Sequence, residues 1–195
     1  MDVIEHIYDL SAFFADIMRI NDHIYMLFST ASTPFNPLKK RHLHRIMTGC
    51  ETGSLENPNF YTMRLNYIKM HYPGLSDEEA SQWSKKTRGL IYKDIDKVIS
   101  QNNQPVLSDP YNTCDPSTGN WAERILSIKE YNTLIEPYGY DITVEKGYYT
   151  TQRTNILTRL LAIGVNFIIK YSGNAGFILS PTITLLMKNR SFGKT

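Results

Sequence analysis

An acid and an imidazole stand side by side near the start of the chain, as Glu5 and His6. The β-branched segment around Val3 and Ile4 predicts a strand, and the pair lies at the C-terminal end of that strand. Ligands of open α/β sheets bind at the carboxyl ends of strands, so the pair is a candidate ligand-binding site. The alternative is that Glu5 leads a helix and His6 is a packed ring, and the sequence alone leaves both interpretations open.

Further histidines are candidate general bases, because imidazole titrates near neutral pH. His42 and His44 are favoured as catalytic residues, since they follow the second predicted strand, and a surface role is the alternative for both. They lie in an acid-free span from Ile24 to Cys50, within a basic cluster. The cations of this cluster are Lys39, Lys40, Arg41 and Arg45. Such a cluster predicts a site for an anionic substrate, such as a phosphate or a sugar acid, and a solvated basic face is equally compatible.

The elements that must position these residues begin with a helix. Asp9 is its predicted N-cap, and apolar residues at positions 10, 13, 14, 17 and 18 follow the helical period. The segment from Ile24 to Phe28 is apolar on both faces, as in a buried parallel strand. The start of the chain is therefore predicted to be a strand, a helix and a second strand, with the two strands side by side and parallel.

This stretch resembles the S-adenosylmethionine-dependent methyltransferases with a Rossmann-like fold. Residues 2–7 (Asp-Val-Ile-Glu-His-Ile), Asp9 and the segment from Ile24 to Thr30 look like the family's fourth strand, the following helix and the fifth strand. The resemblance implies the C-terminal half of a methyltransferase, because the family's glycine-rich cofactor loop lies upstream of the matched elements. No Gly-x-Gly-x-x-Gly occurs in this chain.

The resemblance also implies roles for individual residues. Ile4, Glu5 and His6 would line the pocket for S-adenosylmethionine, and the methyl acceptor would be a small molecule or a glycan, with an anionic group if the basic cluster binds it. One subset of the family binds a divalent ion through an acid-x-x-Glu-His pattern and a later histidine. Asp2, Glu5 and His6 match that pattern, with His42 or His44 to complete it, but the favoured interpretation assigns no metal ligands.

The expected fold class is α/β, with a helical insertion and an antiparallel last strand beside the strand at residues 24–30. The predicted organisation is a single partial domain with a strand-helix-strand core (1–33), an inserted helical and loop segment that is a candidate substrate cap (34–120), and a returning core (121–195). Capping boxes at Ser76 and Ser127 mark two helices. Residues 140–144 alternate as a half-buried strand, and residues 152–171 form a strongly apolar helix.

Composition bounds the function classes. With 195 residues, 42% hydrophobic and 21% charged, the chain is expected to be a globular domain, and a net charge of +2 gives no reason to expect nucleic acid as a partner. Cys50 and Cys114 lie far apart, and no leader pattern opens the chain, so a cytoplasmic location is expected. The apolar run from Leu160 to Ile169 is shorter than the ~20 residues that span a bilayer, and core packing is favoured over a membrane-facing helix.

Two functional hypotheses follow. The first is a methyltransferase that is inactive without an upstream half. The second is a non-catalytic half-domain or interaction module that pairs with another chain. Both predict an open strand edge at residues 3–7, and hence a homodimer or a partner that supplies the missing half.

Overall fold

The computed structural model of the protein describes residues 3–53, 59–103, 107–152 and 154–190. Within these ranges the fold is mixed α/β. The helices are α1 (Leu10–Ile20), α2 (Pro37–Thr52), α3 (Phe60–His71), α4 (Asp77–Lys86), α5 (Tyr92–Gln101), α6 (Ile128–Ile135) and α7 (Ile156–Tyr171). The strands are β1 (Met26–Thr30), β2 (Thr113–Cys114), β3 (Trp121–Glu123), β4 (Tyr140–Lys146) and β5 (Ile183–Asn189), and short 3-10 helices occur at Ile4–His6, Glu136–Tyr138 and Gly173–Ile178.

Local capping signals place several of these helices where the sequence predicts them. Asp9 caps α1 by accepting a hydrogen bond from the backbone N–H of Ala12 at 2.8 Å. Ser76 and Ser127 form complete capping boxes at the starts of α4 and α6. These predictions are confirmed. The helices begin at these residues because each cap satisfies backbone N–H groups that the first helical turn leaves without partners.

The chain divides into two compact units. Unit 1 holds the described residues of 1–4, 9–41 and 126–195, and unit 2 holds residues 5–8 and 42–125. In unit 1 the strand order is β1–β5–β4, and β5 runs antiparallel to both neighbours. Alternate residues of β5 are fully buried, namely Ile183, Leu185 and Met187. The predicted antiparallel last strand is confirmed, as is the half-buried strand at residues 140–144.

Residues 4–6 do not form the predicted first strand, and the predicted parallel pair with β1 is therefore wrong. They form a 3-10 turn in which Ile4 and Glu5 are each 1% exposed. A lone strand leaves its backbone N–H and C=O groups without cross-strand partners. The turn avoids that cost by bonding locally, and it directs the His6 ring to a backbone carbonyl in unit 2.

Unit 2 packs α3, α4 and α5 around Ile68, Ala80 and Ile95. Its interior also contains a fully buried arginine. The Arg64 guanidinium pairs with the Glu51 carboxylate, and its Nε donates to the Ser84 carbonyl at 3.0 Å. Thr113 donates a third hydrogen bond to the same carboxylate at 2.6 Å. Every charge in this network is thus matched inside the unit.

Helix α7 differs from its prediction. Core packing was expected for its apolar residues, yet only Ala162 and Ile169 are buried. Asn166 exchanges two hydrogen bonds with the backbone of Tyr149, each 2.8 Å long, on the inner side of the helix. Most of the large apolar side chains of α7 point outward. No helix among the described residues is both long enough and apolar enough to cross a bilayer.

Candidate functional site

The 3-10 turn and strand β3 bring three ligating side chains together in unit 2. One ring nitrogen of His6 and one carboxylate oxygen each from Glu5 and Glu123 all lie within 4.8 Å of one another. Glu5 is buried, and the other two side chains are half-buried. We refer to these three residues as the Glu-His-Glu cluster.

A backbone contact fixes the tautomer of His6. Its Nδ1 lies 2.8 Å from the carbonyl oxygen of Trp121. A carbonyl oxygen can only accept a hydrogen bond, so Nδ1 carries the proton and Nε2 carries the lone pair of the neutral ring. The same arrangement orients the imidazole of many metal-binding histidines, in which the second ring nitrogen donates to a carbonyl or carboxylate.

Tyr8 joins the segment at residues 5–8 to the rest of unit 2. Its ring stacks on Trp121 with centroids 6.0 Å apart, and its hydroxyl donates to Asp94 at 2.8 Å. Burial, together with the hydrogen bond to Asp94, raises the pKa of Tyr8 well above its ordinary value, so the phenol stays protonated. Arg124 donates to the Tyr8 carbonyl at 3.1 Å and lies over the Trp121 ring. These contacts hold Tyr8 within unit 2.

The donors of the Glu-His-Glu cluster are two carboxylates and one imidazole, a set that suits magnesium, manganese or zinc. The composition differs from the pattern that the sequence suggested. Asp2 lies outside the described residues, and neither His42 nor His44 belongs to the cluster. Sequence reasoning missed Glu123, because only the fold brings β3 to the turn, and no local pattern marks that residue.

A second constellation surrounds His44 on α2. Its Nε2 lies 3.1 Å from the Asp109 carboxylate, and its ring stacks on Tyr111 with centroids 3.9 Å apart. Asp109 is buried and also accepts a hydrogen bond from the backbone N–H of Tyr111 at 3.0 Å. A carboxylate that holds one imidazole nitrogen leaves the other nitrogen to take a proton, which is the arrangement of a general base. We refer to this pair as the His44–Asp109 dyad.

His42 lies two residues before His44 on the same helix, but its environment differs from that of His44. Its side chain is exposed, and within the described ranges no hydrogen bond to another residue is found for its ring. Lys39, Lys40 and Arg41 precede it on α2, where Asn36 caps the helix by accepting from the backbone N–H groups of Leu38 and Lys39. The structure thus gives only one of the two candidate bases a carboxylate partner.

The residues assigned to the cofactor do not form a pocket by themselves. Ile4 and Glu5 are each 1% exposed, and only His6 has a partly open surface. Two cavities among the described residues of unit 1 are lined by other residues. The donor set and burial at residues 4–6 therefore do not fit S-adenosylmethionine within this chain alone.

Comparison with known proteins found no match among family models, curated proteins or solved structures.

Proposed function

We propose that the chain is the C-terminal, acceptor-side half of an S-adenosylmethionine-dependent methyltransferase that acts on a small-molecule or glycan acceptor. The glycine-rich loop that the cofactor requires would come from a segment outside these 195 residues. The observation that supports the proposal best is the strand order β1–β5–β4, with the last strand of the chain in the middle.

The strand order is informative because it does not follow the order of the strands along the chain, which is β1, β4, β5. Strands β1 and β4 are each antiparallel to β5, so they run parallel to one another. The last strand of the chain therefore lies between two strands that are parallel to each other. An antiparallel final strand beside the strand at residues 24–30 is what the methyltransferase resemblance implies, although the strand that the resemblance implies at residues 3–7 does not form.

The chemistry of this half follows from the His44–Asp109 dyad. S-adenosylmethionine would supply the methyl group as a sulfonium, and transfer to a nucleophile depends mainly on alignment. An acceptor hydroxyl must also lose its proton. Asp109 fixes His44 through Nε2, so Nδ1 is the nitrogen that accepts the proton, and the carboxylate stabilises the resulting imidazolium.

The test joins the chain to the polypeptide encoded immediately upstream and follows transfer of a tritiated methyl group into a low-molecular-mass extract of the source cells. We expect incorporation, and we expect His44→Gln to lower its rate about 100-fold because the proton acceptor is lost. His71→Gln is the matched control, since this exposed histidine on α3 is hydrogen-bonded to the Tyr67 carbonyl of its own helix.

Two outcomes would contradict the proposal. One is an upstream region without a glycine-loop segment, either in frame or in an adjacent chain. The other is a joined protein that folds, as judged by its melting temperature, but incorporates no methyl group. That result would favour a non-catalytic half-domain that pairs with another chain.

A further inference from the structure

Helix α7 presents an apolar surface to solvent. Six of its large side chains are each at least 59% exposed, and we call them the outer face of α7. They are Ile156, Leu157, Leu160, Leu161, Phe167 and Tyr171. A contiguous apolar surface of this kind is uncommon on a protein without a partner, and it marks an interaction site.

The orientation of the helix is fixed from its inner side. Ala162 and Ile169 are buried in unit 1, and Asn166 is bonded to the Tyr149 backbone. Lys146 donates to the carbonyls of Ile169 and Gly173 at 2.7 and 3.0 Å, which anchors the C-terminal end. Rotating the helix to bury its outer face would break all of these contacts, so the outer face is a stable surface of unit 1.

The C-terminal part of the sequence carries charge of one sign. The sequence from Lys146 to Thr195 contains seven lysines and arginines and no aspartate or glutamate. Arg159 and Lys170 lie on α7 itself, both exposed, and neither forms an ion pair within the described part of the chain. Helical periodicity places both cations on one flank of the outer face. An apolar face beside cations complements an anionic lipid surface, in which acyl chains lie beneath negative headgroups.

A cavity opens between the edge of the outer face, at Leu161, and the buried side of the helix, at Ala162. Its volume is about 370 Å³, and its walls include Leu161, Ala162 and Val165 of α7 together with Leu38 and Leu179. Leu161 belongs to both the outer face and the cavity. An apolar cavity next to an apolar surface offers space to a hydrocarbon chain from the bilayer. A flat protein surface would leave this cavity unfilled.

We infer that α7 docks unit 1 on an anionic membrane surface, with its outer face in the interfacial region and Arg159 and Lys170 at the headgroups. A second copy of this chain fits less well. Pairing two α7 helices would bring the cations of two copies together, with no acidic residue on α7 itself to offset them, and like charges oppose association. The inference does not depend on the proposed methyl transfer.

Vesicle flotation of the 195-residue chain tests this docking. We expect the chain to float with phosphatidylcholine vesicles that contain phosphatidylserine, and to stay behind with phosphatidylcholine alone. Leu160→Gln combined with Phe167→Gln should lower the partition coefficient about tenfold, because two inserted apolar side chains are lost. Arg159→Glu combined with Lys170→Glu should abolish the preference for anionic vesicles.

Ile20→Gln is the matched control, because Ile20 is an 85% exposed apolar residue on another helix of unit 1. It should leave flotation unchanged. The inference is overturned if the chain floats with neither kind of vesicle, or if Ile20→Gln weakens binding as much as the α7 variant. It is also overturned if light scattering shows a dimer that Leu160→Gln and Phe167→Gln together dissociate, since a second copy would then cover the face.

Discussion

The two units differ in which side chains they bury and which they expose. Unit 2 places charge inside, where Arg64, Glu51 and Thr113 satisfy one another and where Asp109 holds His44. Unit 1 places apolar surface outside, along α7. A buried charge destabilises the folded state unless it has a partner. The buried charges of unit 2 find their partners within that unit. An exposed apolar face is not stabilised by contacts within its own unit. The exposed apolar side chains of α7 therefore indicate that something binds this helix.

The largest expected effect comes from removing one partner of the buried ion pair. Arg64→Ala should lower the free energy of unfolding by about 3 to 5 kcal/mol, because the Glu51 carboxylate is left buried without its cation. Urea unfolding followed by tryptophan fluorescence measures this directly, since both tryptophans, Trp83 and Trp121, lie in unit 2.

Arg45→Ala is the control for that variant, because Arg45 is exposed on α2, and its cost should stay within about 0.5 kcal/mol. Arg64→Met combined with Glu51→Leu should recover much of the loss, since both charges are then absent. A loss below about 1 kcal/mol for Arg64→Ala would show that the carboxylate finds another partner or water, and the contrast between the units would weaken.

The next effect separates the two sides of α7. Ile169→Ala removes a fully buried side chain and should cost about 2 to 5 kcal/mol of stability in unit 1. Leu160 lies on the outer face, and Leu160→Gln should change the free energy of unfolding by no more than about 0.5 kcal/mol. Melting temperatures from circular dichroism compare the two variants. Equal costs would mean that the outer face is packed in the folded protein and does not await a partner.

A smaller effect concerns pH and the tyrosines of unit 2. Tyr67 and Tyr72 both donate to Asp96, at 2.7 and 2.9 Å. Burial, and then the hydrogen bond to Asp96, raises the pKa of Tyr67 from 10.0 to about 12. The folded-state pKa is above the unfolded one, so this stabilisation is complete below about pH 10 and is lost as the pH rises through about 12.

Urea unfolding at several pH values between about 9 and 12 should show stability falling less steeply in Tyr67→Phe than in the parent chain, because the variant has no phenol to ionise at this position. Tyr148→Phe, at an exposed tyrosine of unit 1, is the control and should keep the parent slope. Parallel slopes for Tyr67→Phe and the parent would show that Tyr67 ionises as in the unfolded chain.

Local signals account for what the sequence predicted correctly. The Asp9 cap, the two capping boxes and the alternation of residues 140–144 are decided by neighbours within one or two turns, and each forms as expected. The position of β5 was expected only through the methyltransferase resemblance. Its burial pattern shows only that one face of the strand packs on the core, which does not distinguish a central strand from an edge strand.

Long-range contacts account for what the sequence could not predict. The turn at residues 4–6 depends on the Trp121 carbonyl, and Glu123 joins His6 only through the fold. Nothing near Arg64 in the sequence announces that it is buried. For α7, apolar residues occur around most of the helix, so periodicity could not tell an inner face from an outer one.

Calorimetric titration with S-adenosylmethionine tests the central claim most directly, on the 195-residue chain and on the chain joined to its upstream segment. We predict weak or no binding by the chain alone, because Ile4 and Glu5 are buried and the sequence contains no glycine-rich loop of the Gly-x-Gly-x-x-Gly type. The joined protein should bind with a micromolar Kd, and His6→Ala should weaken that binding more than His71→Ala does, at unchanged melting temperature. Micromolar binding by the chain alone, or none by the folded joined protein, would contradict the account.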